Sequence, residues 1–166
     1  MRTLLHVGCG SDSLPSGLGN YKEIRLDINP ECRPDVIASM LDMGNIGPFD
    51  YLFCQHALEH VFPHEVDKAL SEFVRVLKPD GSAMIFVPDL EDVRHTEEVI
   101  LQSPAGPITG LDMIYGFRMA IPENPHMAHK TGFVRETLHK AIEKAGFSHV
   151  YTQRVGNYNL MGVGRK

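Results

Sequence analysis

Apolar positions in the first half of the chain gather in short runs rather than in long alternations. Thr3-Leu4-Leu5-His6-Val7 runs straight into Gly8-Cys9-Gly10, which predicts a buried strand followed by a tight turn. Glu23 to Ile28 alternates polar and apolar residues before Asn29-Pro30, and Asp35-Val36-Ile37 supplies a brief third strand. Phe49 to Gln55 is a fourth run and Ser82 to Val87 a fifth, entered through the turn Lys78-Pro79-Asp80-Gly81. Such short, mostly unalternating runs predict strands buried on both faces.

Between the last two runs, Val66, Ala69, Leu70, Phe73, Val74 and Leu77 recur at helical spacing and form one apolar stripe. A second stripe uses Val134, Leu138, Ala141, Ile142 and Ala145, with Gly146 placed to take a left-handed conformation after the last turn. Ser148 to Val155 and Asn159 to Val163 flank Gly156-Asn157, a pair suited to a hairpin turn. Strands alternating with helices predict an α/β fold with right-handed crossovers. The expectation is a Rossmann-like, mainly parallel sheet with a C-terminal antiparallel hairpin and helices on both faces. The stretch from Pro88 to Lys130 breaks this rhythm and reads as an insertion, with Leu111, Met113, Ile114, Tyr115, Phe117 and Met119 predicting packed structure rather than disorder.

Composition narrows the class. With 166 residues, 43% hydrophobic content and a net charge of -5, the chain suits one domain over residues 1–166, with the insertion at about 88–130. No apolar run reaches about 18 residues and Met1 to Val7 is too short for a signal peptide, so no membrane association and a cytoplasmic location are expected. Cys9, Cys32 and Cys54 lack the pairing of a zinc site or disulfide scaffold and read as reduced thiols. No basic stripe supports nucleic acid as a partner.

The chemistry begins at the first turn. Gly8 and Gly10 carry no β-carbon, so a ligand can approach the backbone there, and Asp27 stands roughly 20 positions on, where a carboxylate can accept from two ribose hydroxyls. Together they point to a nucleoside-containing ligand. A nicotinamide-dependent dehydrogenase shares both features but wants Gly or Ala at the third glycine position, where Ser13 stands.

The segments LLHVGCGS, EIRLDINP, FDYLFCQHALEHV, FVRVLKPDGSAMIFVPD and FVRETLHKAIEKAGF, in that order, resemble the class I S-adenosylmethionine-dependent methyltransferases, in the branch with a Leu-Glu-His element after the fourth strand. The resemblance implies that S-adenosyl-L-methionine is the cofactor. It implies that Gly8, Cys9 and Gly10 face the methionine portion, Asp27 and Ile28 the ribose side, Ser39 and Met40 the adenine, and Gln55 the transferable methyl. Many relatives have an aspartate where Ser39 stands, a third glycine where Asp12 stands, and a helix ahead of the first strand. The insertion is therefore expected to close the site as a lid, with help from a partner subunit as one option.

Methyl transfer is an in-line displacement, so a base is optional. His56 is the first candidate by motif and His129, from the insertion, the second, imidazole being apt near neutral pH. His60 and His126 are their neighbours, and His60 is expected to bond backbone instead. His56-Ala57-Leu58-Glu59-His60 also matches the H-x-x-E-H pattern of a zinc peptidase class. It sits at a strand's exit inside the methyltransferase-like segment, and no metal ligand is assigned. Tyr115, Phe117, Arg118, Asn124, His126, His129 and Lys130 suit a small organic acceptor. Apolar residues of the insertion offer a homodimer face. The alternative is a methyltransferase-fold interaction module that binds cofactor poorly.

Overall fold

The computed structural model describes all 166 residues. Five strands open the chain, β1 (Thr3–Val7), β2 (Lys22–Asp27), β3 (Val36–Ile37), β4 (Phe49–Gln55) and β5 (Leu77–Pro88). A hairpin of β6 (Val99–Ser103) and β7 (Gly106–Thr109) stands apart, and β8 (Ser148–Val155) and β9 (Asn159–Arg165) close the chain. The main sheet has seven strands in the order β3-β2-β1-β4-β5-β9-β8. β1 to β5 are parallel, while β9 runs antiparallel to both β5 and β8. This is the Rossmann-like sheet with a closing hairpin that the pattern predicts. The turn expected at Lys78 to Gly81 is drawn into β5 as a bulge: Phe49 pairs with Leu77 and Tyr51 already with Ser82, and Asp80 takes φ 64°.

Helices α1 (Val66–Val76) and α3 (Arg135–Lys144) follow the two predicted stripes, and a short α2 (Gly110–Tyr115) lies in the insertion. Val66, Ala69, Leu70, Phe73 and Val76 of α1 join Leu138 and Ile142 of α3 in one cluster. The same cluster holds Leu5, Val7, Leu26, Leu52, Cys54, Ile85 and Leu160 of the sheet. Both long helices therefore cover one face, whereas helices on both faces were expected. The physical reason is local. The β1–β2 connection carries Pro15, Gly17 and Gly19, residues that resist an α-helix, and it forms only a 3-10 turn at Ser16–Leu18. The β2–β3 connection is likewise limited to a 3-10 turn at Pro30–Cys32. On the second face Leu4, His6 and Phe53 are buried, while Tyr51, Met84, Phe86, Met161 and Val163 stay partly exposed. His6 Nδ1 meets Glu23 Oε1 at 2.7 Å and its ring leans on Phe53, so this face is closed partly by its own side chains.

Phe73 lies at the centre of the helix-covered face and is 0% exposed. Phe73→Ala is expected to cost about 3–5 kcal/mol through lost burial and the cavity left behind, measured as a shift in the urea unfolding midpoint with little change in slope.

The insertion is packed, as expected. Thr109 caps α2, its side chain and Asp112's bonding each other's backbone N–H reciprocally. Arg118 Nε donates to Asp112 Oδ1 at 2.8 Å and Arg118 Nη2 to Glu97 Oε2 at 2.8 Å. Burial would raise the Asp112 carboxyl, but Arg118 and Thr109 hold it at about 2. No helix is long and apolar enough to cross a membrane.

Candidate functional site

The register of the sheet sets the site. Val7 pairs with Leu26 on one side and Cys54 on the other, and Asp27 pairs with Ile37. Gly8, Asp27, Ala38 and Gln55 therefore line up at the carboxyl ends of β1, β2, β3 and β4, the edge where open α/β sheets take ligands. Gly8 has φ 63° and Gly10 φ 48°, so the chain turns sharply twice within three residues. A β-carbon on Gly8 would stand 2.3 Å from Ala57 Cβ, whereas one on Gly10 would meet nothing within 4 Å. The loop is thus pressed on the segment after β4 at Gly8 and opens to free space at Gly10.

Asp27 fastens this loop to β2. The Gly10 N–H donates to Asp27 Oδ2 at 2.8 Å and the Asn29 N–H to Oδ1 at 2.8 Å. Each oxygen retains a lone pair for a hydroxyl. Arg25 tightens the turn further, donating to the carbonyls of Asp12 at 2.7 Å and Gly10 at 2.6 Å.

The other predicted cofactor residues divide into two groups. Ile28 is 49% exposed beside Asp27, and Gln55 is partly exposed where β4 ends. Cys9, in contrast, is buried, its N–H donating to Leu26 O at 3.2 Å. Burial pushes its thiol up to about 11, so the residue offers backbone rather than a thiolate. Ser39 Oγ accepts the Leu41 N–H at 3.1 Å, and Met40 packs on the core cluster.

Beyond Gln55 the backbone bends at His56, with φ 50°, into a 3-10 turn at Leu58–His60 that buries Leu58 and Glu59. Glu59 is 1% exposed. His56 Nδ1 lies 3.4 Å and His129 Nε2 3.9 Å from Glu59 Oε1. The two histidines singled out in the sequence thus meet around one carboxylate, although 73 residues separate them. His126 is exposed and stays outside this group. Burial alone would raise the Glu59 carboxyl, yet the facing imidazoles of His56, His60 and His129 bring it below its ordinary value. Burial lowers His129, and Glu59 only partly offsets it; for His56 the same carboxylate outweighs burial and raises it.

His60 bonds backbone as expected, its Nδ1 lying 3.0 Å from Ala128 O. The insertion's end is clamped here: the Lys130 and Thr131 N–H groups donate to Glu59 O at 2.8 and 3.1 Å, and Thr131 Oγ1 donates to Val61 O at 2.6 Å. Of the acceptor-side candidates, Arg118 is spent on Asp112 and Glu97, Asn124 caps the 3-10 turn at Pro125–Met127, and Lys130 Nζ sits over the Phe62 ring. A surface cavity of about 440 Å³, lined by Asp89, Ile100, Leu101, Arg154 and Tyr158 among others, lies between β6 and the β8–β9 turn. It includes no residue of the glycine loop.

Residues 5–85 match a family model described as a methyltransferase domain. No curated protein matches the chain. Solved structures match over 99% of its length. They include a 1,6-didemethyltoxoflavin N1-methyltransferase from Burkholderia thailandensis with that compound and S-adenosylhomocysteine bound (17% identity, TM-score 0.66, 72% of its length covered). An Archaeoglobus fulgidus SAM-dependent methyltransferase is 15% identical with TM-score 0.64 and 86% of its length covered. The human N-acetylserotonin methyltransferase in complex with SAM is 14% identical with TM-score 0.69, and the chain spans 47% of its length, about half.

Proposed function

Starting from a chain that belongs, through residues 5–85 and its sheet order, with the S-adenosylmethionine-dependent methyltransferases, we propose that it methylates a small organic acceptor. The observation that carries this reading is the glycine loop, held by Asp27 and pressed on Ala57, with open space at Gly10. The arrangement fits the cofactor, which supplies an electrophilic methyl on a sulfonium sulfur. Gly8, Cys9 and Gly10 present backbone to its methionine portion and Asp27 accepts from its ribose. Ile28 stands beside Asp27 on the ribose side, Ser39 and Met40 flank the adenine, and Gln55 stands toward the methyl.

The insertion acts as the lid. Its end is fastened to the Glu59 carbonyl, on the segment that Gly8 touches, where it can exclude water from the site. His56, 42% exposed, is the first proton acceptor, and His129, 13% exposed and held neutral, the second. The free Cys9, Cys32 and Cys54 suit the cytoplasm, and the exposed Val99, Tyr115 and Met119 of the insertion suit contact with a second copy.

The test is isothermal titration with S-adenosylmethionine and S-adenosylhomocysteine, with NAD as control. Saturable micromolar binding of both sulfur ligands is expected, with none for NAD. Asp27→Ala removes two charge-assisted hydrogen bonds of about 1.5–3 kcal/mol each, so affinity should fall about 100-fold or more. No binding of either sulfur ligand would overturn the reading in favour of an interaction module.

A further inference from the structure

Glu59 is the one buried side chain whose polar atoms go unmatched: neither carboxylate oxygen accepts a hydrogen bond. Buried polar groups nearly always have partners, and an unpartnered charge is the costliest exception. Two imidazoles stand ready at the same place. His60 Nδ1 lies 3.0 Å from Ala128 O and His129 Nδ1 lies 3.1 Å from Met113 O. A carbonyl oxygen only accepts, so each Nδ1 carries the proton and donates it, leaving the Nε2 lone pair free. Metal-binding histidines are commonly set in this way, by a carbonyl that takes the other ring N–H.

We propose that Glu59, His60 and His129 bind one divalent transition-metal ion of the zinc, iron or manganese class. One donor atom from each of the three residues lies within 4.8 Å of the others. Bonds of about 2.0–2.2 Å to nitrogen and oxygen would draw those atoms somewhat closer, a displacement within reach of side-chain rotation. Two imidazoles and one carboxylate match ions of borderline softness and leave coordination positions open.

The backbone is already fixed on both sides, because the Lys130 and Thr131 N–H groups donate to Glu59 O and the His129 N–H to Tyr115 O at 2.9 Å. The ion would supply the direct partner that no hydrogen-bond donor gives the buried carboxylate and would staple the end of the insertion to the turn after β4. This set differs from the peptidase pattern, in which His56 and His60 would be ligands and Glu59 a base. Here His56 stands at the exposed edge of the cluster, facing Glu59 Oε1, remains free of the ion, and with the ion bound is the one of the two candidate bases still able to accept a proton. The inference rests on this geometry and not on methyl transfer.

The chelator-treated full chain is titrated with Zn²⁺ by calorimetry and with Co²⁺ by visible absorption. One ion per chain at micromolar or tighter affinity is expected, with d–d bands for Co²⁺ and a higher unfolding temperature with Zn²⁺. Glu59→Gln and His129→Ala should each weaken binding about 100-fold. Glu59→Gln keeps the shape of the buried side chain, and His129 lies outside the hydrophobic core, so the pair does not depend on one variant folding. His126→Ala, an exposed histidine outside the set, should bind as the parent does. Absence of binding by the parent chain, or binding that survives Glu59→Gln, or equal loss in His126→Ala, would overturn the site.

Discussion

Gly8→Ala is expected to cost about 2–5 kcal/mol of stability and to abolish cofactor binding. Two effects add. Gly8 holds φ 63°, a conformation that costs a residue with a β-carbon about 1–2 kcal/mol. The new methyl would also fall 2.3 Å from Ala57 Cβ, an overpacking of about 1–3 kcal/mol. The strands on both sides leave the loop little room to retreat, since the Gly8 N–H is bonded to Leu26 O at 2.8 Å. Gly10→Ala is the paired control. It has a similar φ of 48° but no atom within 4 Å, so only the conformational cost of about 1–2 kcal/mol applies. Urea unfolding of both variants, with cofactor titration of whichever folds, makes the comparison. Equal destabilisation by the two substitutions would refute the close contact with Ala57.

Gly116→Ala should release the insertion while leaving the sheet folded. Gly116 has φ 94°, and a β-carbon there would lie 2.1 Å from Met127 O and 2.9 Å from His129 N. Both obstacles are backbone, which no rotamer change relieves. The cost is on the order of 3 kcal/mol, carried by the contacts that dock the insertion's end rather than by the core. The Lys130 and Thr131 amides, bonded to Glu59 O, should then exchange with solvent about 100-fold faster, while amides of β1 and β4 keep their protection. Unchanged exchange at Lys130 and Thr131 would show that the docking does not depend on Gly116.

How legible these features are in the sequence follows from how local their causes are. β1, β4, α1 and the β8–β9 hairpin each announce themselves in one stretch, because an apolar run or a helical stripe is a property of neighbours in the chain. The lack of a long helix on the second face is also written locally, in Pro15, Gly17 and Gly19, residues that resist an α-helix and interrupt the strand–helix rhythm. The β6–β7 hairpin and the capped α2 lay inside a segment readable only as packed. Glu59 illustrates the limit. Its place in the H-x-x-E-H pattern is visible in the sequence, but the partner that completes its surroundings, His129, lies 70 residues on and arrives only through the docking of Lys130 and Thr131 on the Glu59 carbonyl. Arg118 fails in the opposite sense: it reads as a ligand-binding cation and is consumed by Asp112 and Glu97.

The position of β9 between β5 and β8 bears on how the molecule is made. A ribosome delivers residues 159–165 after both strands that flank them, so the centre of the sheet's C-terminal half cannot be assembled in the order of synthesis. Until then β5 presents an unsatisfied edge to the crowded cell, open to pairing with a foreign strand, and β8, whose outer edge stays free even in the finished sheet, has no partner at all. Completion therefore awaits the late pairing of β9 with β5 across a long sequence separation, a slow kind of step, and chaperone demand during expression should track the exposure time of the β5 edge.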